Sequence, residues 1–386
     1  TGLSGLSGLG ALAGLSQPAQ AQDNSPARIL VGFPAGGAFD AVARLLSNEL
    51  KTVLKRPVLV DNRPGAGGRL AVDLLRGAKP DGSVLMLGPD ALTALYPFTY
   101  SKLNYDPAKD LVPVGTVSEF PFVLVAGSEP PVKSLAQYIA WARANPERAQ
   151  YGVPARGAPH HFFGMALGKT IGVKLEDVPY QGSAPLMLGL MGGQVSCGID
   201  VLGSVLEQYK AGKVNLLAVS SPQRMPQVPE VPTFAELGYP AISGMGFNGL
   251  YAPARTPAAS VNAWSQALAK VLTLPDVRER LATMGFLPVG KSPEELATSR
   301  TGFDDPRLGE LLFRYRARNF PATLSGAEAQ RWEQLRTARL FEGEGGARTL
   351  EQLFAEIDTL SETADERGEA ILGALYDYAE HIAPER

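Results

Sequence analysis

The sequence is short of the residues from which staples and metal centres are made. Its single cysteine, Cys197, excludes an intramolecular disulfide, and three histidines leave little for a metal site. After the opening segment no stretch is apolar for the roughly 20 residues that a membrane span needs. Charge is sparse as well. With 19% charged residues and a formal balance of −3, no global field recruits nucleic acid or an anionic membrane. There is no G-x-S-x-G elbow, no H-E-x-x-H pair and no clear nucleophile beside a base, so no catalytic constellation is present.

Turn-forming residues are abundant instead. The 386 positions include 42 Gly and 31 Pro, which suits short elements joined by many loops in two or three domains of about 100–200 residues. An opening run of Gly, Leu, Ser and Ala leads into Ser16-Gln17-Pro18-Ala19-Gln20-Ala21, which looks like the apolar half of a secretory signal with an A-x-A cleavage site. A flexible Gly/Ser/Leu leader is the alternative. On the signal reading, residues 1–21 are a signal-peptide remnant and the exported product starts at Gln22. A second discontinuity lies near residue 298. Residues 299–386 hold eleven Arg, no Lys and seventeen Asp or Glu, whereas all twelve lysines fall before it. That change suggests a second source for the tail.

Before the break, short apolar runs alternate with amphipathic segments. Arg28–Phe33, Val58–Asn62, Val84–Leu87, Val123–Ala126, Val195–Ile199 and Val214–Ser220 read as buried strands. Ala41–Leu54, Ser134–Asn145, Ser183–Leu190 and Ala258–Leu272 read as helices. This alternation over some 270 residues implies an α/β protein with parallel sheets, helices on both faces and two lobes.

The chemistry lies in the turns. Phe33-Pro34-Ala35-Gly36-Gly37-Ala38-Phe39-Asp40 follows the first strand and opens the first helix, where backbone N–H groups favour an anion. It is not a Walker A loop, because Ala38 stands where Lys is needed, and the G-x-G-x-x-G order is absent. Asn62-Arg63-Pro64-Gly65-Ala66-Gly67-Gly68 repeats the arrangement after the second strand. Taken alone, each is more often a tight connection; two at one sheet edge point to ligand capture. A third turn carries Ala155, Arg156, Gly157 and Ala158, and Arg156 suits either bidentate capture of a carboxylate or a solvated loop position. His160 and His161 are adjacent and cannot share one helical face as an i, i+4 metal pair does. Tyr180, Gln181 and Ser183 precede another helix, and Asp200 ends a strand; Tyr180 equally fits a core position and Asp200 a helix cap. Cys197, within an apolar strand, reads as buried and inert.

Further motifs appear in a fixed order after the first two turns: Tyr105-Asp106-Pro107 with Lys109-Asp110, Val178 to Pro185, Gly192-Gly193-Gln194-Val195, Ala218 to Arg224, Val231-Pro232-Thr233 with Glu236, and Gly249-Leu250-Tyr251-Ala252-Pro253. Over about residues 25–297 the chain resembles the Bug-type solute-binding receptors of tripartite tricarboxylate transporters. The resemblance implies a two-lobed periplasmic-binding-protein fold (type II, Venus flytrap) with two crossing strands, closing around a small carboxylate in the periplasm. It places lobe 1 at 23–122 plus 250–297 and lobe 2 at 123–249. Carried over by position, the ligand carboxylate meets Ala35, Gly36 and Gly37, with Asp40 organising that helix start. Ala155, Arg156, Gly157, Ala158, Tyr180, Ser183 and Asp200 face it from the other lobe. The family's usual Ser-rich turn containing Asn is Pro154-Ala155-Arg156-Gly157-Ala158 here, which removes hydroxyls and adds a cation. The implied partners are a small carboxylate and a membrane permease. No cofactor, metal, nucleic acid or enzymatic activity is expected, and the chain is expected to be monomeric.

Asp304 to Leu308, then Arg314-Tyr315-Arg316-Ala317-Arg318-Asn319-Phe320-Pro321, Gln330-Arg331-Trp332 and Leu372 to Ile382, resemble the C-terminal helical region of exodeoxyribonuclease I over about 303–384. Residues 298–386 are therefore expected to form an appended all-α segment. Leu308, Leu311, Leu312 and Tyr315 make one apolar stripe, and Ser325 with Glu328 reads as a capping box. The nuclease domain and its acidic metal motifs are absent, so the alternative function for the tail is a DNA-repair interaction module without a nuclease site. Ser292-Pro293-Glu294-Glu295 reads as a helix start whose helix is interrupted after Ala297. Export with cleavage near Ala21 predicts a mature product beginning at Gln22; intact-mass measurement checks this, and a purified chain retaining residues 1–21 overturns it.

Overall fold

The computed structural model describes residues 25–100, 103–240 and 242–298, together with two short strands in the tail. The chain opens with β1 (Ala27–Val31), α1 (Ala38–Leu54), β2 (Val58–Asn62), α2 (Arg69–Arg76) and β3 (Val84–Pro89). A π-helical turn at Ala91–Leu95 and two single-turn helices, α3 (Tyr96–Thr99) and α4 (Pro107–Asp110), lead into the 16-residue strand β4 (Leu111–Ala126). Then come α5 (Leu135–Ala144), β5 (Gln150–Val153), α6 (Pro159–Ile171), β6 (Glu176–Pro179), α7 (Ser183–Met191), β7 (Cys197–Val201), α8 (Leu202–Lys210) and β8 (Asn215–Val219). β9 (Met245–Pro253), α9 (Ala258–Leu272), α10 (Pro275–Thr283), β10 (Leu287–Pro288) and α11 (Pro293–Thr298) follow.

Apolar spacing explains the helices. In α1, Val42, Ala43, Leu45, Leu46 and Leu50 are buried, a stripe at helical period, and the helix stops at Lys55 in the left-handed region (φ 52°). In α9, Val261, Trp264, Leu268, Val271 and Leu272 form the buried face. Trp264 Nε1 donates to the Gly82 carbonyl at 2.9 Å, which pins this late helix to the segment before β3. Ser292 and Glu295 form the expected reciprocal cap: the Ser292 amide donates to Glu295 Oε2 (2.8 Å) and the Glu295 amide to Ser292 Oγ (3.2 Å).

Ten strands form one mixed sheet in the order β2-β1-β3-β9-β4-β7-β5-β6, with β8 and β10 also paired to β4. β1 is parallel to β2 and β3, and β5 is parallel to β6 and β7. Each half thus repeats one pattern, in which the first strand lies between the second and third and the third meets an antiparallel strand. The expectation of purely parallel sheets is corrected at that point. β9 is antiparallel to β3, and β4 is antiparallel to both β9 and β7. From Leu111 to Pro121, β4 pairs with β9; from Phe122 to Val125 it pairs with β7. The early part of β4 does not read as a strand because Pro113, Gly115 and Pro121 interrupt it, and the ladder accommodates them with register shifts at Pro113/Gly115 and Thr116/Ser118.

In the tail, β11 (Arg339–Phe341) and β12 (Arg348–Thr349) pair antiparallel, so its described residues are strands where only helices were expected. Gly343, Gly345 and Gly346 between them in sequence favour such a reversal over a continuous helix. The expected helices around Leu308–Tyr315, Ser325–Leu335 and Ile371–Ile382, and the remnant 1–21, lie outside the described residues.

The first two Gly-rich turns pack backbone to backbone. A Cβ at Gly32 would sit 2.5 Å from Gly68 Cα, far inside contact distance. The Arg63 amide donates to the Val31 carbonyl (2.8 Å) and Asn62 Nδ2 to the Phe33 carbonyl (3.2 Å). Gly32→Ala is therefore expected to force the turns apart and cost about 1–3 kcal/mol, measured by chemical denaturation; an unchanged midpoint contradicts this packing.

Candidate binding cleft

The parallel strands of each half end in turns, and those turns face one another. On the first side, Ala35 and Gly36 are exposed, and Gly36 adopts φ +82° with open space where a Cβ would lie. Asp40, 3% exposed, reaches back from the first turn of α1 and accepts from the Gly36 amide (2.8 Å) and from Arg44 Nε (2.9 Å). Burial opposes ionisation of Asp40, but the Arg44 and Gly36 bonds outweigh it and hold the carboxyl below its usual range. The Gly37 amide points back to the Pro34 carbonyl (3.4 Å), and no side chain caps the start of α1.

On the second side, α6 starts at Ala158 and α7 at Gly182, again without a side-chain cap. Gly182 adopts φ +112°, and a Cβ there would meet Pro34 Cδ at 3.4 Å, so the β1–α1 turn and the β6–α7 turn touch. A second contact is made by Tyr100, whose hydroxyl donates to the Arg156 carbonyl at 2.8 Å. Its ring lies under Gly157, where a Cβ would stand 3.0 Å from Tyr100 Cε2. Ala155 and Ala158 are buried in one apolar cluster with Leu92, Tyr96 and Phe247. Three helix starts whose preceding residues, Gly37, Ala158 and Gly182, supply no side-chain cap thus lie along one seam between the halves.

The contrast with α5 is instructive. A surface depression of about 230 Å³ lies between Lys133–Ala136, Tyr209, Asn215–Leu217 and Glu230–Pro232. There Ser134 Oγ accepts from the Gln137 amide and Gln137 Oε1 from the Lys133 amide, so that helix start is closed by its own side chains. No cleft residue lines it.

Two sequence candidates for which alternatives stood open have partners within their own half. Arg156 forks onto Asp177, with Nη2 2.9 Å from Oδ1 and Nε 2.9 Å from Oδ2, so its charge is matched within its own half. Tyr180 lies along α7: a Cβ at Gly189 would collide with its hydroxyl, and one at Gly152 would stand 3.1 Å from its Cε2. Half-buried, it packs on two glycine faces. The Gly157 amide donates to His161 Nδ1 (3.3 Å). Ser183 Oγ donates to Asp200 Oδ1 at 2.9 Å, tying the start of α7 to the end of β7. His160 is buried, and burial with the neighbouring His161 lowers its pKa to about 3, so it is neutral. Cys197 is fully buried, its thiol pushed up to about 12. No cluster of three metal-ligating side chains occurs among the described residues. Asp90, Tyr100 and Arg69 at this seam escaped sequence reading; the only local signal was Arg69 following the Gly67-Gly68 pair.

A sequence profile described as tripartite tricarboxylate transporter family receptor matches residues 42–299. The chain belongs to this receptor family. Its members are solute-binding proteins, and this one is a binding receptor with the two-lobed periplasmic-binding-protein fold, not an enzyme. The receptor is 34% identical over 305 residues to the UPF0065 protein of the tcbD-tcbE intergenic region of Pseudomonas sp. strain P51, covering 78% of this chain and 90% of that protein. It is 33% identical over 289 residues to protein BugT of Bordetella pertussis, covering 74% and 88%. Among solved structures it is similar to MatC from Rhodopseudomonas palustris with bound malate (29% identity, TM-score 0.66, 80% and 98% covered). It is also similar to Rpa4515 of R. palustris with adipate (30%, TM-score 0.68, 80% and 96%). A second profile, the exonuclease I C-terminal domain, matches residues 289–382. There the receptor is 42% identical over 95 residues to exodeoxyribonuclease I of Escherichia coli, covering 23% of this chain and 18% of that enzyme. A receptor body therefore runs into a tail similar to the C-terminal domain of that enzyme. No helix among the described residues is long and apolar enough to cross a membrane.

The receptor holds two equivalent buried carboxyls, Asp90 at the end of β3 and Asp200 at the end of β7. Each caps the next amide, Ala91 N–H at 2.8 Å and Val201 N–H at 2.7 Å, and leaves Oδ2 without a partner. Burial raises both to about 7 despite those bonds. Each binds its proton more tightly folded than unfolded, so from about pH 4 to about pH 7 the folded state holds more protons and stability falls as pH rises. Asp200→Asn keeps the two acceptor bonds and is expected to reduce the loss between pH 5 and pH 8 by roughly 2–3 kcal/mol. Denaturation at pH 5 and pH 8 measures it, and an undiminished slope contradicts the assignment.

Proposed function

We propose that this receptor, exported and freed of residues 1–21, captures a small carboxylate in the seam between its halves and presents the closed form to the permease of a tripartite tricarboxylate transporter. The observation that carries this reading is the approach of Pro34 to Gly182, which brings the starts of α1 and α7 to one place. Amides there attract an anion without a formal cation, and a ligand held by both halves has more contacts when they are together. The malate and adipate with two similar structures, MatC and Rpa4515, both small carboxylates, are consistent with it. In this reading the turn at Ala35, Gly36 and Gly37 and the first turn of α1 meet the carboxylate, Ser183 meets it from the opposite side, and Asp40 and Asp200 brace those two starts.

The lobes we propose are 23–122 plus 250–297 and 123–249, in a monomer. Support comes from β4, which changes partner from β9 to β7 between Pro121 and Phe122, and from α9, which docks on the segment before β3. The mechanism is a population shift. If open and closed forms differ tenfold without ligand, about 1.4 kcal/mol of differential contact equalises them. Thermal or chemical denaturation of the ligand-free full chain with malate, adipate and citrate tests the reading. At free ligand about 100 times Kd, stabilisation of about 2.7 kcal/mol is expected; a folded protein that responds to no di- or tricarboxylate overturns it.

A further inference from the structure

Four guanidinium groups lie near the seam, and three are matched. Arg44 pairs with Asp40 (2.9 Å), Arg63 with Asp61 (2.8 Å) and Arg156 with Asp177 (2.9 Å). Arg69, the first residue of α2, is different. Its Nε donates to the Ala66 carbonyl at 2.9 Å, and its Cζ stacks 3.9 Å from the centroid of Tyr100. The nearest acid along its helix, Asp73, pairs with Arg76 (3.5 Å). Among the described residues no carboxylate pairs with Arg69 and no acceptor meets its two terminal nitrogens.

The placement of this group matters. Gly68, the preceding residue, lies against Phe33 of the first turn, where a Cβ would stand 3.5 Å from Phe33 Cε2. Tyr100, on which Arg69 stacks, reaches the Arg156–Gly157 turn of the opposite half. The stack fixes the guanidinium plane and the Ala66 bond holds its Nε side, which leaves both terminal nitrogens as donors without a partner among the described residues. Two parallel donors on a fixed plane match a carboxylate.

We propose that Arg69 is a specificity-determining residue that binds a second carboxylate, so that the ligand is a dicarboxylate. One carboxylate lies at the amides of α1 and α7 and the other on the Arg69 fork. This rests on the function proposed above and assigns to Arg69 the role that sequence reasoning considered for Arg156. Closure then brings Tyr100 and Arg69 onto the ligand together, and the cation that the amide-lined side lacks comes from the second Gly-rich turn.

Calorimetric titration of the full chain with matched pairs, adipate against hexanoate and succinate against butyrate, tests it. The parent is expected to bind at least one diacid about tenfold or more tightly than its monoacid. Arg69→Gln is expected to bring that ratio to within about twofold while leaving monoacid affinity unchanged, and Arg69→Lys to give an intermediate ratio. Equal weakening of both ligands shows Arg69 acting only through its stack on Tyr100 and overturns the proposal, as does an unchanged ratio. A parent that binds monoacids and diacids equally also overturns it while leaving the receptor reading intact; one that binds neither, nor citrate, removes both. If Arg69→Gln does not fold, the Arg69→Lys ratio decides, with parental discrimination overturning the proposal.

Discussion

Both halves depend on one strand being hydrogen-bonded along its length. β4 pairs with β9 over its first part and with β7 over its last, while β8 and β10 also bond to it. Breaking that ladder would leave buried amides and carbonyls without partners, which is costlier than any single contact in the cleft. The halves are therefore held by a ribbon of two antiparallel strands, and relative rotation must twist that ribbon near Phe122, where the partner changes. Ser118 and Asn248, both fully buried, bond across it at 3.2 Å and fix its register from within.

Legibility in the sequence followed the range of the forces involved. β2 was readable to its exact ends because its signal is five consecutive residues, and the Ser292–Glu295 cap because its partners are three apart. The early part of β4 and β9 were not, since prolines and glycines within them erase the local strand pattern while pairing with distant strands restores it. The same division holds in the cleft. The Asp40 bond to Gly36 spans four residues and follows from the turn. The pairing of Arg156 with Asp177 spans 21, and the packing of Tyr180 on Gly152 and Gly189 joins separate elements. Residue type alone left these alternatives open, because the contacts that bear on them are tertiary.

The two family matches overlap between residues 289 and 299, where α11 lies. Its start is sealed by its own side chains, and Leu296 is 3% exposed in the cluster that also holds Tyr96 and Tyr251. The receptor body is thus closed by contacts that lie where the two matches overlap. The nuclease-like portion covers 18% of the enzyme it resembles, which is too little to carry that enzyme's chemistry. Whatever follows residue 298, the body is built from its own strands and caps.

The two facing turns meet through the ring of Pro34 and the bare backbone of Gly182. Neither group carries charge or a side-chain donor, so bringing them together strips no water from an ion and forms no bond that must later be broken. Lips made of such indifferent material neither stick nor repel. On the proposed mechanism the decision to shut is left to the guest, and letting it go again meets no latch at that point.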